Sequence, residues 1–151
     1  PAARQAAGLA QKRVEVVPSR SIPQGIAALL AVNYEAGFEE NLAAMEKARA
    51  RVKTGEVTTA VRSMRLGGLR IRVGDALGLL EGQPAVAAGT PPQALKALLA
   101  KMGTAEDGLV TVYYATEEDR AALGTSWLGQ GQEGELVRGG QPHYHYIVSM
   151  E

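Results

Sequence analysis

The segment that most constrains the fold is residues 14–32, VEVVPSRSIPQGIAALLAV. Its β-branched start, residues 14–17, is typical of a strand that is buried on both faces. Pro18 ends that run because it has no backbone donor. After a polar turn, apolar residues recur at helical spacing and give one apolar face, formed by Ile22, Ile26, Leu29 and Leu30. The sequence therefore predicts a strand, a turn and a helix, as in an open α/β sheet.

The turn SRSIPQG is the first candidate binding site. Ser21 is in the position of an N-cap, and Gln24 follows three residues later, as in a capping box. Pro23 falls in the first turn, where a missing N–H costs nothing. Strand-to-helix turns of this kind bind ligands and anions in open α/β sheets, and the residues that would line the site are Ser19, Arg20, Ser21, Gln24 and Gly25. The same residue types also simply start helices, so both interpretations stay open.

Composition excludes several functional classes. The 151 residues are 46% hydrophobic and 21% charged, which is typical of a globular domain with a sizeable core. Sixteen basic residues balance sixteen acidic ones, so no net field attracts nucleic acid or an anionic membrane. No apolar run reaches the roughly 20 residues of a membrane span. The chain has no cysteine, hence no disulfide or thiolate metal site, and we expect a cytoplasmic location.

Beyond residue 32 the periodicity changes several times. A helix is expected from Phe38 to about Lys53, with Thr54 and Gly55 as its stop. The later expected elements are a hairpin (strands 57–66 and 69–73), strands at 76–80 and 84–88, a helix opened by a capping box at Thr90 and ended by Gly103, a strand at 109–115, a short helix starting at Thr116, and two closing strands at 135–138 and 144–150.

This order predicts a mixed-sheet α/β fold with α+β character. Thr54-Gly55 is the expected boundary between two lobes. Residues 1–54 would be the end of a first α/β lobe, and residues 55–151 a second lobe with a mixed sheet and helices. Since the sequence opens at Pro1 without an initiator Met, we expect a piece of a longer protein.

The only two histidines, His143 and His145, lie two residues apart on a predicted strand. They would share one face of that strand. Their spacing indicates neither a third ligand for a metal ion nor a nucleophile or acid that would work with a catalytic histidine. We therefore predict no catalytic residue and no metal site. Tyr144 and Tyr146 would share the opposite face, either as a docking surface or as part of the core.

Four segments carry a family resemblance in order and spacing: VEVVPSRSIPQGIAALLAVN, RVKTGEVTTAVR, VGDALGLLEG and RGGQPHYHYIVSME. Together they resemble the kinase component of bacterial fatty acid kinase, and they cover residues 14–151 almost continuously. Two features depart from the family. His143 and His145 stand where it more often has Leu and Pro, and residues 117–134 are shorter and richer in glycine than the family's helix at that place.

In that family a separate, DhaL-related domain transfers the phosphoryl group with ATP and Mg²⁺. The C-terminal region resembles the DegV fold and recognises FakB, a DegV-like protein that presents a fatty acid. The resemblance thus implies a non-catalytic docking module of an ATP-dependent kinase, without a cofactor of its own and with a homodimer as a possible assembly. Docking would use the turn at residues 19–25 together with Gly139, Gly140, Gln141, Tyr144 and Tyr146.

Two alternatives to the docking module stay open. One is a DegV-like domain that itself binds a fatty acid or a phosphorylated compound. The other is a substrate domain related to dihydroxyacetone kinases, in which a histidine would hold the carbonyl substrate.

Overall fold

The computed structural model describes residues 2–66, 68–103, 108–129 and 133–151, and the chain divides into two compact units, Pro1–Val52 and Lys53–Glu151. Within the described residues, the first unit consists of three helices and their connections: α1 (Ala2–Leu9), α2 (Ile22–Leu30) and α3 (Phe38–Arg51). The second unit contains a mixed sheet with helices, which confirms the predicted fold class.

The strand expected at residues 14–17 is not formed, and residues 13–20 have no regular secondary structure. A strand needs a neighbouring strand to satisfy its backbone groups, and no described residue of the first unit offers one. Val14 is exposed. Arg13 fixes the start of this segment, since its guanidinium pairs with Glu39 and lies 4.4 Å from the centre of the Phe38 ring.

Helix α2 begins as predicted but buries a different face. Its buried residues are Pro23, Gln24, Ala27 and Ala28. Three of the four residues of the predicted apolar face are open to solvent: Ile22, Leu29 and Leu30 are 61%, 68% and 80% exposed, while Ile26 is half-buried. The helix packs on α3, and small buried side chains such as alanine allow a neighbouring backbone to approach closely. The face with the larger apolar residues is left uncovered.

The loop between α2 and α3 is held by one side chain. Asn41 donates through Nδ2 to the carbonyl oxygens of Asn33 (2.9 Å), Ala36 (3.1 Å) and Gly37 (3.2 Å). Its Oδ1 accepts from the amide of Asn33 at 2.7 Å. The Asn33 and Gly37 carbonyls also accept from the backbone amides of Ala36 and Asn41, so the Asn41 side chain adds to bonds that already close this loop.

The second unit contains, in chain order, β1 (Lys53–Thr59), β2 (Met64–Leu66), β3 (Leu69–Ile71), β4 (Ala76–Leu80), β5 (Gln83–Ala88), α4 (Pro91–Met102), β6 (Leu109–Tyr114), α5 (Glu117–Leu123), β7 (Glu133–Arg138) and β8 (Tyr144–Met150). The strand predicted at 57–66 is two strands, because the chain bends at residues 60–63. Thr54 and Gly55 lie inside β1, and α3 ends before them with Val52 as its C-cap. Gly67, half of the predicted turn, lies outside the described residues.

The larger sheet has the strand order β5-β4-β1-β8-β6-β7. Strands β6 and β7 are parallel, and the other described pairs of this sheet are antiparallel. The two predicted closing strands, β7 and β8, do not pair with each other, since β6 lies between them. The chain leaves β6 through α5 and returns in the same direction, as a parallel pair requires.

Helix α4 lies on β1, β4 and β5 and covers the core. Leu95 and Leu98 of this helix are fully buried. Thr90 occupies the N-cap position as predicted but makes no side-chain cap bond, so the expected capping box is absent there. Gly103 ends the helix with φ +90°, a conformation that glycine adopts without strain.

Candidate functional site

A bulge in β8 decides where the side chains of the C-terminal segment point. Strand β1 pairs Val57 with Tyr146 but Thr58 with Tyr144, so His145 is an extra residue between the two pairs. The strict alternation of faces is broken there. His145 and Tyr146, adjacent in sequence, therefore both reach Asp119 of α5.

The two tyrosines that were predicted to share a face have different environments. Tyr146 is fully buried in the core, and its hydroxyl donates to the carbonyl oxygen of Asp119 at 2.7 Å. Burial, with a further contribution from the Asp119 carboxylate, raises the pKa of Tyr146. Tyr144 is half-buried, and its pKa is raised chiefly by the carboxylate of Glu56. Tyr144 alone of the pair remains partly accessible at this site.

His145 links a carboxylate to a hydroxyl. Its Nδ1 lies 2.7 Å from Asp119 Oδ1, and its Nε2 lies 3.0 Å from Thr59 Oγ1. The second carboxylate oxygen of Asp119 accepts from the amide of Thr116 (3.2 Å) and from its hydroxyl (2.9 Å). The Asp119 amide donates back to Thr116 Oγ1 at 3.1 Å, which completes the capping box of α5. The cap thus fixes the carboxylate that holds the histidine.

The chemistry of Asp119 assigns the protons in this chain of hydrogen bonds. An ionised carboxylate only accepts, so the neutral imidazole carries its proton on Nδ1 and donates it to Asp119. Nε2 is then the acceptor, and the Thr59 hydroxyl donates to it. The hydrogen bonds therefore run from the Thr59 hydroxyl to the His145 imidazole and on to the Asp119 carboxylate. Sequence spacing did not reveal these partners of His145, because they lie 26 and 86 residues away from it.

Two clefts meet at the hydrogen-bonded residues Thr59, His145 and Asp119. One, of about 350 Å³, lies between the start of α5 and the loop before β8, and both Asp119 and His145 line it. The other, of about 220 Å³, is largely apolar and has Thr59 in its wall; the remaining lining residues are Thr58, Ala60, Val61, Arg62, Met64, Ile71 and Leu77. The hydrogen bond from Thr59 to His145 joins the walls of the two clefts.

The loop at residues 139–143 owes its path to the predicted residues Gly139, Gly140 and Gln141. The amides of both glycines donate to the carbonyl oxygen of Tyr114 (2.9 and 3.3 Å), and Gly140 has φ +62°. The Gln141 side chain donates to the carbonyl oxygen of Tyr113 at 2.9 Å. A Cβ at Gly139 would collide with Gln141 Oε1, so any larger residue there would displace the Gln141 side chain from this bond. These residues shape the loop that lines the larger cleft.

The turn predicted as a binding site starts α2 in the expected way. Ser21 Oγ accepts from the Gln24 amide at 3.3 Å, which confirms the N-cap. Gln24 Oε1 accepts from the amide of Arg20 at 2.9 Å, whereas a capping box would have it accept from the amide of Ser21. A Cβ atom at Gly25 would lie 3.7 Å from Ser19 Oγ. These five residues lie together in the first unit, and the predicted C-terminal residues lie together in the second.

Among the residues described, no three His, Asp or Glu side chains gather as a bound metal ion would require. The described part of the chain also contains no helix that is long and apolar enough to cross a bilayer.

The fold places this chain in a structural class. It is similar to the crystal structure of a DegV family protein from Corynebacterium glutamicum, with a TM-score of 0.62 over 99% of this chain and 68% of that one. The sequence identity is 16%, so this similarity concerns the fold alone. The family model for the C-terminal domain of FakA-like fatty acid kinase proteins matches residues 1–151. The chain belongs to that family, as the sequence resemblance predicted.

Two relatives illustrate the family. Protein YloV of Bacillus subtilis strain 168 is 38% identical over 156 residues. An uncharacterized protein of Staphylococcus aureus strain bovine RF122 / ET3-1 is 32% identical over 155 residues. Each alignment covers 99% of this chain but only 28% of the relative. The chain therefore spans just over a quarter of the length of these proteins.

Proposed function

We propose that this chain docks a DegV-like protein that carries a fatty acid, so that a separate ATP-binding domain can phosphorylate the carboxylate of that fatty acid. Membership of the FakA-like fatty acid kinase family supports a role in such a kinase. In this proposal, ATP and Mg²⁺ belong to the separate domain, and the chain itself contributes binding rather than phosphoryl transfer. The setting is cytoplasmic.

The observation that supports docking is the uncovered face of α2. Ile22, Leu29 and Leu30 are exposed at positions i, i+7 and i+8, which lie on one side of a helix. Tyr34, just beyond the helix, is 98% exposed. Isolated exposed apolar residues are ordinary, but several on one helix face mark a protein contact. The capped turn at residues 19–25 leads directly into this helix, which holds the face in a fixed orientation.

The test measures binding between the purified chain and a DegV-like protein loaded with palmitate, by isothermal titration calorimetry. Leu29→Glu combined with Leu30→Glu puts two charges on the α2 face, and we expect the affinity to fall at least about tenfold, roughly 1.4 kcal/mol. Val73→Glu, at an exposed apolar position of the second unit, is the matched control and leaves the affinity unchanged. Equal binding by the double variant and the parent would contradict the proposal.

The same experiment separates the alternatives. If the chain takes up palmitate without the partner, the small-ligand function replaces docking. If the double variant changes only the mass of the free chain in size-exclusion chromatography, the α2 face joins two copies instead. We also expect no Mg²⁺-dependent phosphorylation of a fatty acid or of dihydroxyacetone by this chain alone. Such activity would make the module catalytic and overturn the docking role.

A further inference from the structure

We propose that Thr59, His145 and Asp119 form a nucleophile, base and acid for acyl transfer, acting on carboxylic esters with a short apolar acyl group. This activity is independent of the docking function. It rests on the second unit alone, whereas docking was argued from α2 in the first unit.

The geometry meets the requirements of a hydroxyl-based triad. The nucleophile must lie within about 2.6–3.2 Å of the base, and a third group must orient that base. Thr59 Oγ1 is 3.0 Å from His145 Nε2, and Asp119 Oδ1 is 2.7 Å from His145 Nδ1. The bonds from Thr116 to the other carboxylate oxygen keep Asp119 in place, as the buried acid of a triad is kept.

Exposure decreases from the nucleophile to the acid. Thr59 is exposed, the His145 side chain is 33% exposed, and the Asp119 side chain is 12% exposed. The Thr59 hydroxyl can therefore reach a substrate, while the Asp119 carboxylate is shielded from water. This shielding strengthens the hydrogen bond between Asp119 and the His145 imidazole. An exposed hydrogen bond of Thr59 would contribute little to stability by itself.

The neighbouring residue Thr58 shows what a purely structural hydroxyl does in this strand. Thr58 Oγ1 donates to the carbonyl oxygen of His143 at 2.6 Å, which fastens β1 to the loop before β8. A carbonyl oxygen is a poor proton acceptor for catalysis. Thr59 Oγ1 instead lies 3.0 Å from a titratable base, so the two adjacent threonines have different chemistry.

The apolar cleft beside Thr59 indicates the substrate class. Its wall is formed mainly by Ala60, Val61, Met64, Ile71 and Leu77, which would receive an acyl chain. Its volume of about 220 Å³ favours a short chain. Arg62 lines the same cleft, and in this proposal it supplies the positive charge that stabilises the oxyanion developing on the ester carbonyl.

The reaction has two balanced steps. Thr59 Oγ1 attacks the ester carbonyl carbon while His145 Nε2 takes the hydroxyl proton. The tetrahedral adduct collapses, the bond to the alcohol breaks, and the alcohol leaves with the proton from His145. Water then attacks the acyl-threonine and gives its proton to His145, which returns a proton to Thr59 as the carboxylic acid is released. Asp119 stays ionised throughout and stabilises the imidazolium.

The test uses p-nitrophenyl butyrate with the purified chain and follows the release of p-nitrophenolate, with intact and peptide-level mass spectrometry of acid-quenched samples. We expect a butyryl adduct on Thr59 and turnover above buffer. Thr59→Val keeps the β-branched shape, so folding persists, and it should abolish the adduct. His145→Gln should lower the rate at least about 100-fold. Thr59→Ser should keep activity, since it restores the hydroxyl.

Thr90→Val is the matched control: Thr90 is exposed, makes no side-chain cap bond and lines neither cleft, so the rate should stay unchanged. The dodecanoate ester should react more slowly than butyrate if the small cleft receives the acyl chain. The proposal is overturned if the parent chain hydrolyses butyrate no faster than His145→Gln, or if the adduct maps to a residue other than Thr59. Thermal unfolding of each variant separates loss of the reaction from loss of the fold.

Discussion

Gly55 of β1 lies directly against Leu98 of α4, and a Cβ atom at Gly55 would be only 2.9 Å from Leu98 Cδ2. The same Cβ would be 2.9 Å from Met102 Sδ. Real Cβ atoms do not approach other side chains this closely, so the absence of a side chain sets the distance between helix and sheet. The contact explains why a glycine stands in the middle of a strand, where it otherwise weakens pairing.

Gly55→Ala should therefore destabilise the chain by about 1–3 kcal/mol, because α4 must shift or its side chains must leave their rotamers. Urea unfolding followed by circular dichroism measures the change. Gly25→Ala, inside α2 with only an ordinary 3.7 Å contact, should instead stabilise by up to about 1 kcal/mol through helix propensity. Equal effects of the two substitutions would contradict the close approach at Gly55.

Ser21→Ala should cost about 1 kcal/mol, since the Ser21 hydroxyl caps α2 by accepting from the Gln24 amide. Thr90→Ala is the control. Thr90 is also an N-cap but its side chain makes no cap bond, so its loss should change the free energy of unfolding much less. An unchanged stability for Ser21→Ala would mean that α2 does not depend on this cap.

Tyr146→Ala should destabilise the chain by about 3–5 kcal/mol, because it empties a fully buried site and removes the bond to the Asp119 carbonyl. Tyr144→Ala, at a half-buried position, should cost clearly less. Chemical unfolding of the two single variants compares them directly. If Tyr146→Ala is as stable as Tyr144→Ala, the bulge at His145 does not send the two rings to different environments.

Glu56 makes the stability depend on pH. Its pKa is raised, first by burial and then by the neighbouring carboxylate of Glu81, so the folded state favours the protonated form. The stabilisation of the folded state by protonated Glu56 is fully present below the unfolded-state pKa. It is lost as pH rises through the higher folded-state pKa. Glu56→Gln should therefore raise the unfolding free energy at pH 7 more than at pH 4. Unfolding curves at both values test this, and an equal gain at the two would contradict it.

Local patterns predicted much of the fold. The bounds of β4 and β8 agree with the expected strands at 76–80 and 144–150, and Gly103 and Thr116 end and start helices as expected. These elements were recognised because periodicity and capping depend on neighbouring residues. The prediction of the buried face of α2 was wrong, since a helical pattern shows where apolar residues lie but not which side another helix will cover.

The site depended on contacts that no local pattern contains. Spacing treated His145 and Tyr146 as residues of opposite faces, and the bulge places both next to Asp119. Because the bulge is fixed by pairing with β1, far away in sequence, it has no local signature. The one available signal was the pair Thr116 and Asp119, whose capping-box spacing could have marked Asp119 as a fixed carboxylate. Nothing in the sequence indicated Thr59.

Among the described strands, the order of the six-stranded sheet leaves β5 and β7 with one side unpaired. Such sides can recruit strands from other molecules and start aggregates. Pro84 removes a donor from β5, and β7 carries the exposed charges of Glu133, Glu135 and Arg138. Because the whole chain has no net charge at pH 7, long-range repulsion between copies is weak. Colloidal solubility thus depends on local features of the two outer strands.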